Sequence, residues 1–442
     1  MGTGIRPPFV LKALSRMKLR VKPGRLSGSV NIPASKSHTI RGLIIGLLAD
    51  GVAVLRRPLR SSDTESCVGV CRALGAEVDT SDNERWEVRG TAGKPVAPSA
   101  PVDVGNSGTT LFLAMTAAAL AEGETEFIGD EQTSRRPAGA LLEALRALGA
   151  TAYSRRGNNC TPIVVGGGLR GGHVSIRCPT SQYLSSLLVG CPPAQGDTSI
   201  DVPLLNEKPY VAMTLAWLEG LRMRCRAADD LSHFELPGRQ SYPSFERAVP
   251  ADFSSATFFL VAAAVTGSRL CLRGLDMGDT QGDKAVVGML EAMGCSVQVE
   301  PEGVWIEGPE ELQGASFDLN ATPDALPSLA VAGCLARGET RLLNVPQARA
   351  KETDRLAVMA EELRKMNGQV EELPDGLIVR QSPLRGTEIN GRGDHRVVMA
   401  LAVAGLVARG VTTVDTAEAV SVTFPDFVEL MRQAGADMTV AP

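Results

Sequence analysis

Cations crowd places in this sequence where helices should begin. The stretch Pro33 to Ile44, PASKSHTIRGLI, sets Lys36, Ser37, His38 and Arg41 at the mouth of an apolar run. A cation at a helix N-terminus opposes the helix dipole unless an anion sits there. The device recurs with Arg136 in SRRPAG, Lys208 in NEKPY, Lys351 and Arg355 in AKETDRL, and Arg396 in GDHR. Free backbone N–H groups with added Lys or Arg are how proteins hold phosphate and carboxylate, so a small ligand with several negative charges is expected. Asp324 in TPDALPS and Glu352 in KETDR are carboxylates amid those cations. Positive surroundings keep a carboxylate ionised, whereas a donor needs burial or a proton shared with Lys. One base and one acid with anion clamps suit addition and elimination at an activated double bond, although helix capping accounts for Asp324 equally well.

The elements that must position these residues repeat six times. An apolar helix tail, a glycine and a strand recur as LLADGVAVL, ALAEGETEF, PPAQGDTSI, AVTGSRLCL, LARGETRLL and VARGVTTVD, with steps of 72, 73, 71, 71 and 72 residues between Gly51, Gly123, Gly196, Gly267, Gly338 and Gly410. A second helix tail keeps the same period, ending in Gly or, in the fifth copy, Asn367, as a left-handed C-terminal turn requires. Strand–turn–strand stretches such as LRVKPGRLSGSVNI and IVVGGGLRGGHVSI separate the copies and read as hairpins. Three such units close one α/β domain of roughly 200 residues, so six imply two. The chain opens on a hairpin and ends on the strand ADMTV. A discontinuous domain, 1–33 plus 251–442, is therefore expected around a continuous one, 34–250. The helices ending at the six marker glycines begin with SKS, NSGT, TSQ, FSSA, TPDALPS and GDHR, and these starts are expected to converge on one cleft.

Composition removes several function classes. The 442 residues are 44% hydrophobic with net charge −5, which offers no global basic field for nucleic acid or an anionic membrane. No run reaches the roughly 20 apolar residues that span a bilayer. Pro7 and Pro8 break the opening MGTGIRPPFVLKALSRM, which reads as a loose extension rather than a signal peptide. Nine scattered cysteines without a C-x-x-C pair and four histidines without metal spacing favour a reduced, cytoplasmic, metal-free protein. Gly166, Gly168 and Gly171 match G-x-G-x-x-G, but a strand rather than a helix follows, so a dinucleotide site is excluded.

In their order SKSHTIR, GNSGTT, RRP, TSQ, SSA, TPD, KETDRL, GDHR and TFPDF, the motifs resemble the 5-enolpyruvylshikimate 3-phosphate synthase family from about Met17 to Pro442. The resemblance implies two inside-out α/β barrels, each of three βαβαββ units, with the ligand cleft between them. It also implies transfer of the carboxyvinyl group of phosphoenolpyruvate to the 5-hydroxyl of shikimate 3-phosphate, with release of phosphate and no cofactor. Carried over, Lys36, Ser37, Arg41, Thr180, Ser181, Gln182, Tyr210, Asp324, Gln347 and Lys351 resemble the acceptor set. Lys36, Asn106, Gly108, Arg136, Gln182, Arg355, His395 and Arg396 resemble the phosphoenolpyruvate set. Asp324 would take the hydroxyl proton, and Glu352 with Lys351, beside Lys36, would serve proton transfer at the methylene carbon. The domains are expected to close on substrate, because a cleft of helix N-termini repels itself until anions arrive.

Four positions depart from the family's usual pattern. Phe112 stands where an Arg is frequent, Glu207 where a Ser often contacts the acceptor phosphate, Gln347 where Asn is common, and Val422 where a Lys often reaches phosphoenolpyruvate. Lost cations would weaken phosphoenolpyruvate and the inhibitor glyphosate alike, while Gly108 favours ordinary sensitivity. A paralogue taking another phosphorylated alcohol, and a silent anion-binding homologue, are the alternatives. The UDP-N-acetylglucosamine enolpyruvyl transferases place a Cys before their Arg-Pro, and GDEQTSRRP has none. A monomer is expected, since each barrel covers its own core.

Overall fold

The computed structural model describes residues 16–442, so the reading of the opening segment lies outside the described residues. Six four-stranded sheets share one strand order. In the first, Tyr242–Ala248 lies parallel to Ala49–Arg56, which pairs antiparallel with Arg85–Arg89, which pairs antiparallel with Glu77–Asp82. A parallel pair needs a crossover between its strands. In the second sheet that crossover is the helix Gly108–Ala118, between Val102–Asp103 and Glu124–Ile128. The unit is strand, helix, strand, helix and a hairpin.

The strand–turn–strand stretches between copies are not hairpins. In IVVGGGLRGGHVSI the strands Ile163–Gly166 and Gly172–Cys178 enter different sheets, and in five of the six copies the true hairpin lies just before this turn. Alternating burial reveals a half-buried strand but not its partner, and the glycine-rich turn here redirects the chain from one sheet to the next. The two N-terminal strands likewise separate. Lys18–Val21 pairs with Thr412–Asp415 and Met438–Ala441, whereas Ser27–Asn31 pairs with Arg269–Arg273.

Two apolar cores follow from this exchange. One gathers Leu19 to Ile32 with Ala251 to Met438, the other Ile40 to Val249. Each is centred on three helices that are apolar on every side, the sign of full burial. In Phe253–Thr266 every residue except Val265 is buried. The outer helices are amphipathic instead: Arg355–Lys365 buries Leu356, Met359, Ala360 and Leu363 at helical spacing. The chain passes between the halves twice, and the two passages run side by side. Ser35 N–H donates to the Pro250 carbonyl at 2.8 Å and Asp252 N–H to that of Pro33 at 2.9 Å. The second helix tails turn left-handed at Gly75, Gly149, Gly294, Asn367 and Gly435, but in the third copy Arg222 takes that conformation and Gly220 is the last helical residue. Among the described residues, no helix is long and apolar enough to cross a membrane.

Candidate active site

Four of the six inner helices are capped by a side chain in the ordinary way, whereas Lys36–Leu48 and Leu326–Leu335 are not. Ser107 accepts from Thr110 N–H, Thr180 from Gln182 N–H, Asp252 from Ser255 N–H and Asp394 from Arg396 N–H. The starts of the helices Lys36–Leu48, Gly108–Ala118, Ser181–Gly190 and His395–Gly405, with the turn Pro323–Ala325, surround a single cavity. A smaller space beside it joins Ser254 and Ser255 of the remaining inner helix to Lys36 and Arg396. The outer helices and their leading loops add Arg136, Tyr210, Lys351, Glu352 and Arg355 to the main cavity.

Within this wall, Lys36, Arg41, Arg136, Lys351, Arg355 and Arg396 face Asp63, Glu207, Asp324 and Glu352. Cationic crowding is thus answered by Asp324 and Glu352, which their motifs announced, and also by Asp63 and Glu207, whose pairing with lysine no motif announced. Lys36 Nζ is 2.9 Å from Asp63 Oδ2, and Lys351 Nζ is 2.6 Å from Glu207 Oε1. Arg355 reaches Asp324 at 2.7 Å, Glu352 at 2.5 Å and Asp394 at 2.8 Å, so one guanidinium ties Asp324 to Glu352. Arg396 flanks Asp324 at 3.1 Å, and Arg136 flanks Glu352 at 2.8 Å. Arg136 Nη2 is engaged by that ion pair, whereas Arg136 Nε and both ring nitrogens of His395, which line the same cavity, have no hydrogen-bond partner among the described residues. Buried donors in that state invite a ligand. The cavity holds only about 50 Å³, against several hundred in ordinary ligand pockets, so entry of a small-molecule ligand requires these pairs to part.

Electrostatics follow from burial and from these partners. Burial would raise the Asp324 carboxyl, but Arg396, Lys351 and Arg355 hold it far below its usual range. Glu352 is likewise pushed up by burial and pulled well below by Arg136 and Arg355. Burial raises Asp63 despite Lys36. For Lys351 burial works downward, and Glu207 and Asp324 outweigh it to hold the ammonium above its ordinary value. His395 is driven well below its usual value by burial and stays neutral. Among the described residues Arg41 has no carboxylate partner. It is 1% exposed and donates to Thr214 Oγ1 at 2.9 Å, Ser185 Oγ at 3.3 Å and the carbonyls of Ser37 and Tyr210 at 3.0 Å.

Most of the expected residues meet here, and a few do not. Thr180 stands behind the wall and donates to Glu207 at 3.1 Å, while Gln182 and Tyr210 line the cavity. Gln347 donates to the Asn320 carbonyl at 3.0 Å, and Asn106 to Asp130 at 2.6 Å and Gln132 at 2.7 Å, both outside the wall. Lys208, counted among the cleft cations, faces outward and donates to the Asp230 carbonyl at 3.2 Å. Its helix starts from a left-handed Glu207, which turns the first residue away from the cavity. His38 also leaves the cleft: its Nδ1 accepts from Trp217 Nε1 at 3.0 Å, so Nε2 carries the proton that faces Asp279 Oδ1 at 3.3 Å in the other half. Phe112 is buried edge-on against Tyr183, so the uncharged residue there fills the core instead of lining the cleft. Val422 lies outside the wall. Asp63 and Thr109 line it without having been anticipated; their signal, an acid or hydroxyl near a helix start, is indistinguishable from capping.

The chain as a whole is matched by known proteins. A family model described as EPSP synthase (3-phosphoshikimate 1-carboxyvinyltransferase) covers residues 21–431. The chain belongs to the EPSP synthase family. It is 51% identical over 423 residues to the 3-phosphoshikimate 1-carboxyvinyltransferase of Acetivibrio thermocellus, covering 96% of this chain and 99% of that one. The enzyme of that name from Methanocella arvoryzae is 44% identical over 428 residues, 96% of this chain and 100% of that one. A solved EPSP synthase from Acinetobacter baumannii superposes with a TM-score of 0.82 at 26% identity, covering 96% of this chain and 100% of that one. The two-domain α/β fold is that of the EPSP synthases.

Proposed function

We propose that the chain transfers the carboxyvinyl group of phosphoenolpyruvate to the 5-hydroxyl of shikimate 3-phosphate and releases phosphate. The supporting observation is the tie from Arg136 through Glu352, Arg355 and Asp324 to Arg396, in which two carboxylates are held ionised by cations that an anionic substrate can claim. As they stand, the carboxylates are too strongly stabilised to move protons well. Once substrate phosphate and carboxylate groups draw Arg136 and Arg396 away, burial lifts Asp324 and Glu352 toward values at which a base or acid works. Asp324 then takes the hydroxyl proton as oxygen attacks the enol carbon. A proton delivered by Glu352, with Lys351 beside it, completes addition at the methylene. Glu352 then takes a proton back from that carbon as phosphate departs, which restores the double bond. Lys36, Arg136 and Arg396 supply proximity and charge stabilisation.

On the same footing, Lys36, Ser37, Arg41, Thr180, Ser181, Gln182, Tyr210 and Lys351 hold the acceptor. Lys36, Gly108, Arg136, Gln182, His395 and Arg396 hold phosphoenolpyruvate, with Arg355 acting from behind. Asn106 and Gln347 act through the loops they brace. The division at 33 and 250 is proposed from the two cores and the paired crossings. A cytoplasmic monomer is proposed from nine free cysteines and from halves that each bury their own core. Glyphosate is proposed to compete for the phosphoenolpyruvate cations. The test is phosphate release with each substrate omitted in turn, repeated with Asp324→Ala. Release that needs both substrates and is lost in the variant is expected; no release from folded protein overturns the reading.

A further inference from the structure

Glu207 occupies a place that a ligand's anion should want. It precedes the helix Lys208–Gly220 with φ 58° and ψ 41°, in the left-handed region that a non-glycine residue enters at a cost, and it is 2% exposed. Its Oε2 accepts from Ser181 N–H at 3.0 Å, Ser181 Oγ at 2.8 Å and Thr180 Oγ1 at 3.1 Å. Its Oε1 lies 2.6 Å from Lys351 Nζ, which comes from the opposite half. The backbone N–H of Glu207 donates to Asn320 Oδ1 across the same boundary at 3.3 Å. An anion on a helix N-terminus with a lysine closing over it is the arrangement that binds phosphate. Here the protein supplies the anion itself.

We propose that Glu207 is a specificity-determining residue. Its carboxylate is a tethered stand-in for the acceptor's anionic group, and it holds Thr180, Ser181 and Lys351 until the acceptor displaces it. This rests on the proposed function, which gives those three residues to the acceptor. Two anions cannot share the site, so the acceptor must offer these donors more than a carboxylate already gives. A phosphate dianion, with three oxygens and a larger charge, does so; a carboxylate or a hydroxyl at that position does not. Glu207 therefore lowers affinity for every acceptor and lowers it most for those with weakly charged groups.

The test uses the full chain with Glu207→Ser and Glu207→Gln, the second keeping the side chain's size should the first fold poorly. Inorganic phosphate, followed by calorimetry, is expected to bind Glu207→Ser at least tenfold more tightly than the parent, with Glu207→Gln between. Adding Lys351→Met to either variant is expected to cancel the gain, which places the phosphate at this lysine rather than at Arg136. In steady-state phosphate release, the KM for shikimate 3-phosphate is expected to fall about tenfold while that for phosphoenolpyruvate moves less than twofold. Phosphate affinity unchanged or weaker in both variants, or a rise in acceptor KM, overturns the proposal and makes Glu207 a direct contact of the acceptor. If neither parent nor variants turn over, the proposed function fails, and the phosphate titration still decides the role of Glu207.

Discussion

Gly108→Ala isolates the Arg136 clamp from everything around it. A Cβ at position 108 would lie 2.1 Å from Arg136 Nη1, 3.0 Å from Cζ and 3.2 Å from Cδ. Because atoms closer than 3.0 Å are essentially never seen around a Cβ, the guanidinium must retreat by roughly 1 Å from its ordered position. Its Nη2 now lies 2.8 Å from Glu352, and a shift of that size carries it past hydrogen-bonding range of whatever anion takes the place of Glu352. Loss of one charge-assisted bond is worth about 1.5–3 kcal/mol, or on the order of 10- to 150-fold in affinity. The KM for phosphoenolpyruvate should rise by that factor. Position 108 is the first residue of a buried helix, where alanine is at least as good a helix former as glycine, so the thermal midpoint should hold. Steady-state kinetics with phosphoenolpyruvate varied, beside a thermal scan, reads both. An unchanged phosphoenolpyruvate KM in a folded variant would refute the assignment of Arg136 to that substrate. A collapse of stability would refute the claim that the clash is local.

Further outcomes follow from the same cleft. Asp324→Asn keeps the shape but cannot take a proton, and kcat should fall by about 10²- to 10⁴-fold with both KM values moved far less, as single-turnover measurements can show. Arg41→Lys leaves one ammonium to serve two hydroxyls and two carbonyls now spanned by a guanidinium; urea unfolding should show a loss of about 1–3 kcal/mol and acceptor binding should weaken. His38 and His395 are both held below 6.5 by burial, so as pH falls through 6.5 the unfolded chain takes up protons that the folded chain refuses. Their contribution to stability is complete above pH 6.5 and is lost below it at up to about 1.4 kcal/mol per pH unit each. The thermal midpoint should drop between pH 7 and 5.5, and His395→Asn should flatten that slope; an equal slope in the variant would remove His395 from the account.

The sixfold period was legible because each copy must end its helices and turn, and glycine does this at fixed spacing. The starts of the inner helices were legible for the same reason at their other ends. What stayed hidden was pairing. The alternation in LRVKPGRLSGSVNI marks two strands but not that they serve different sheets, and nothing local to Lys36 or Lys351 names Asp63 or Glu207 as partner. Lys208 shows the converse error, since a cation at a helix start means little until the direction of that helix is known.

The separation of the two N-terminal strands sets an order on biosynthesis. Lys18–Val21 waits for Thr412–Asp415, about 400 residues later, which at 5–20 residues per second is on the order of 20 to 80 seconds of translation. The core built from Ile40 to Val249 needs no such wait: its last strand, Tyr242–Ala248, closes against Ala49–Arg56 soon after it emerges. The nascent chain can therefore complete its middle first, leaving an early unpaired strand for chaperones to shield until the end arrives.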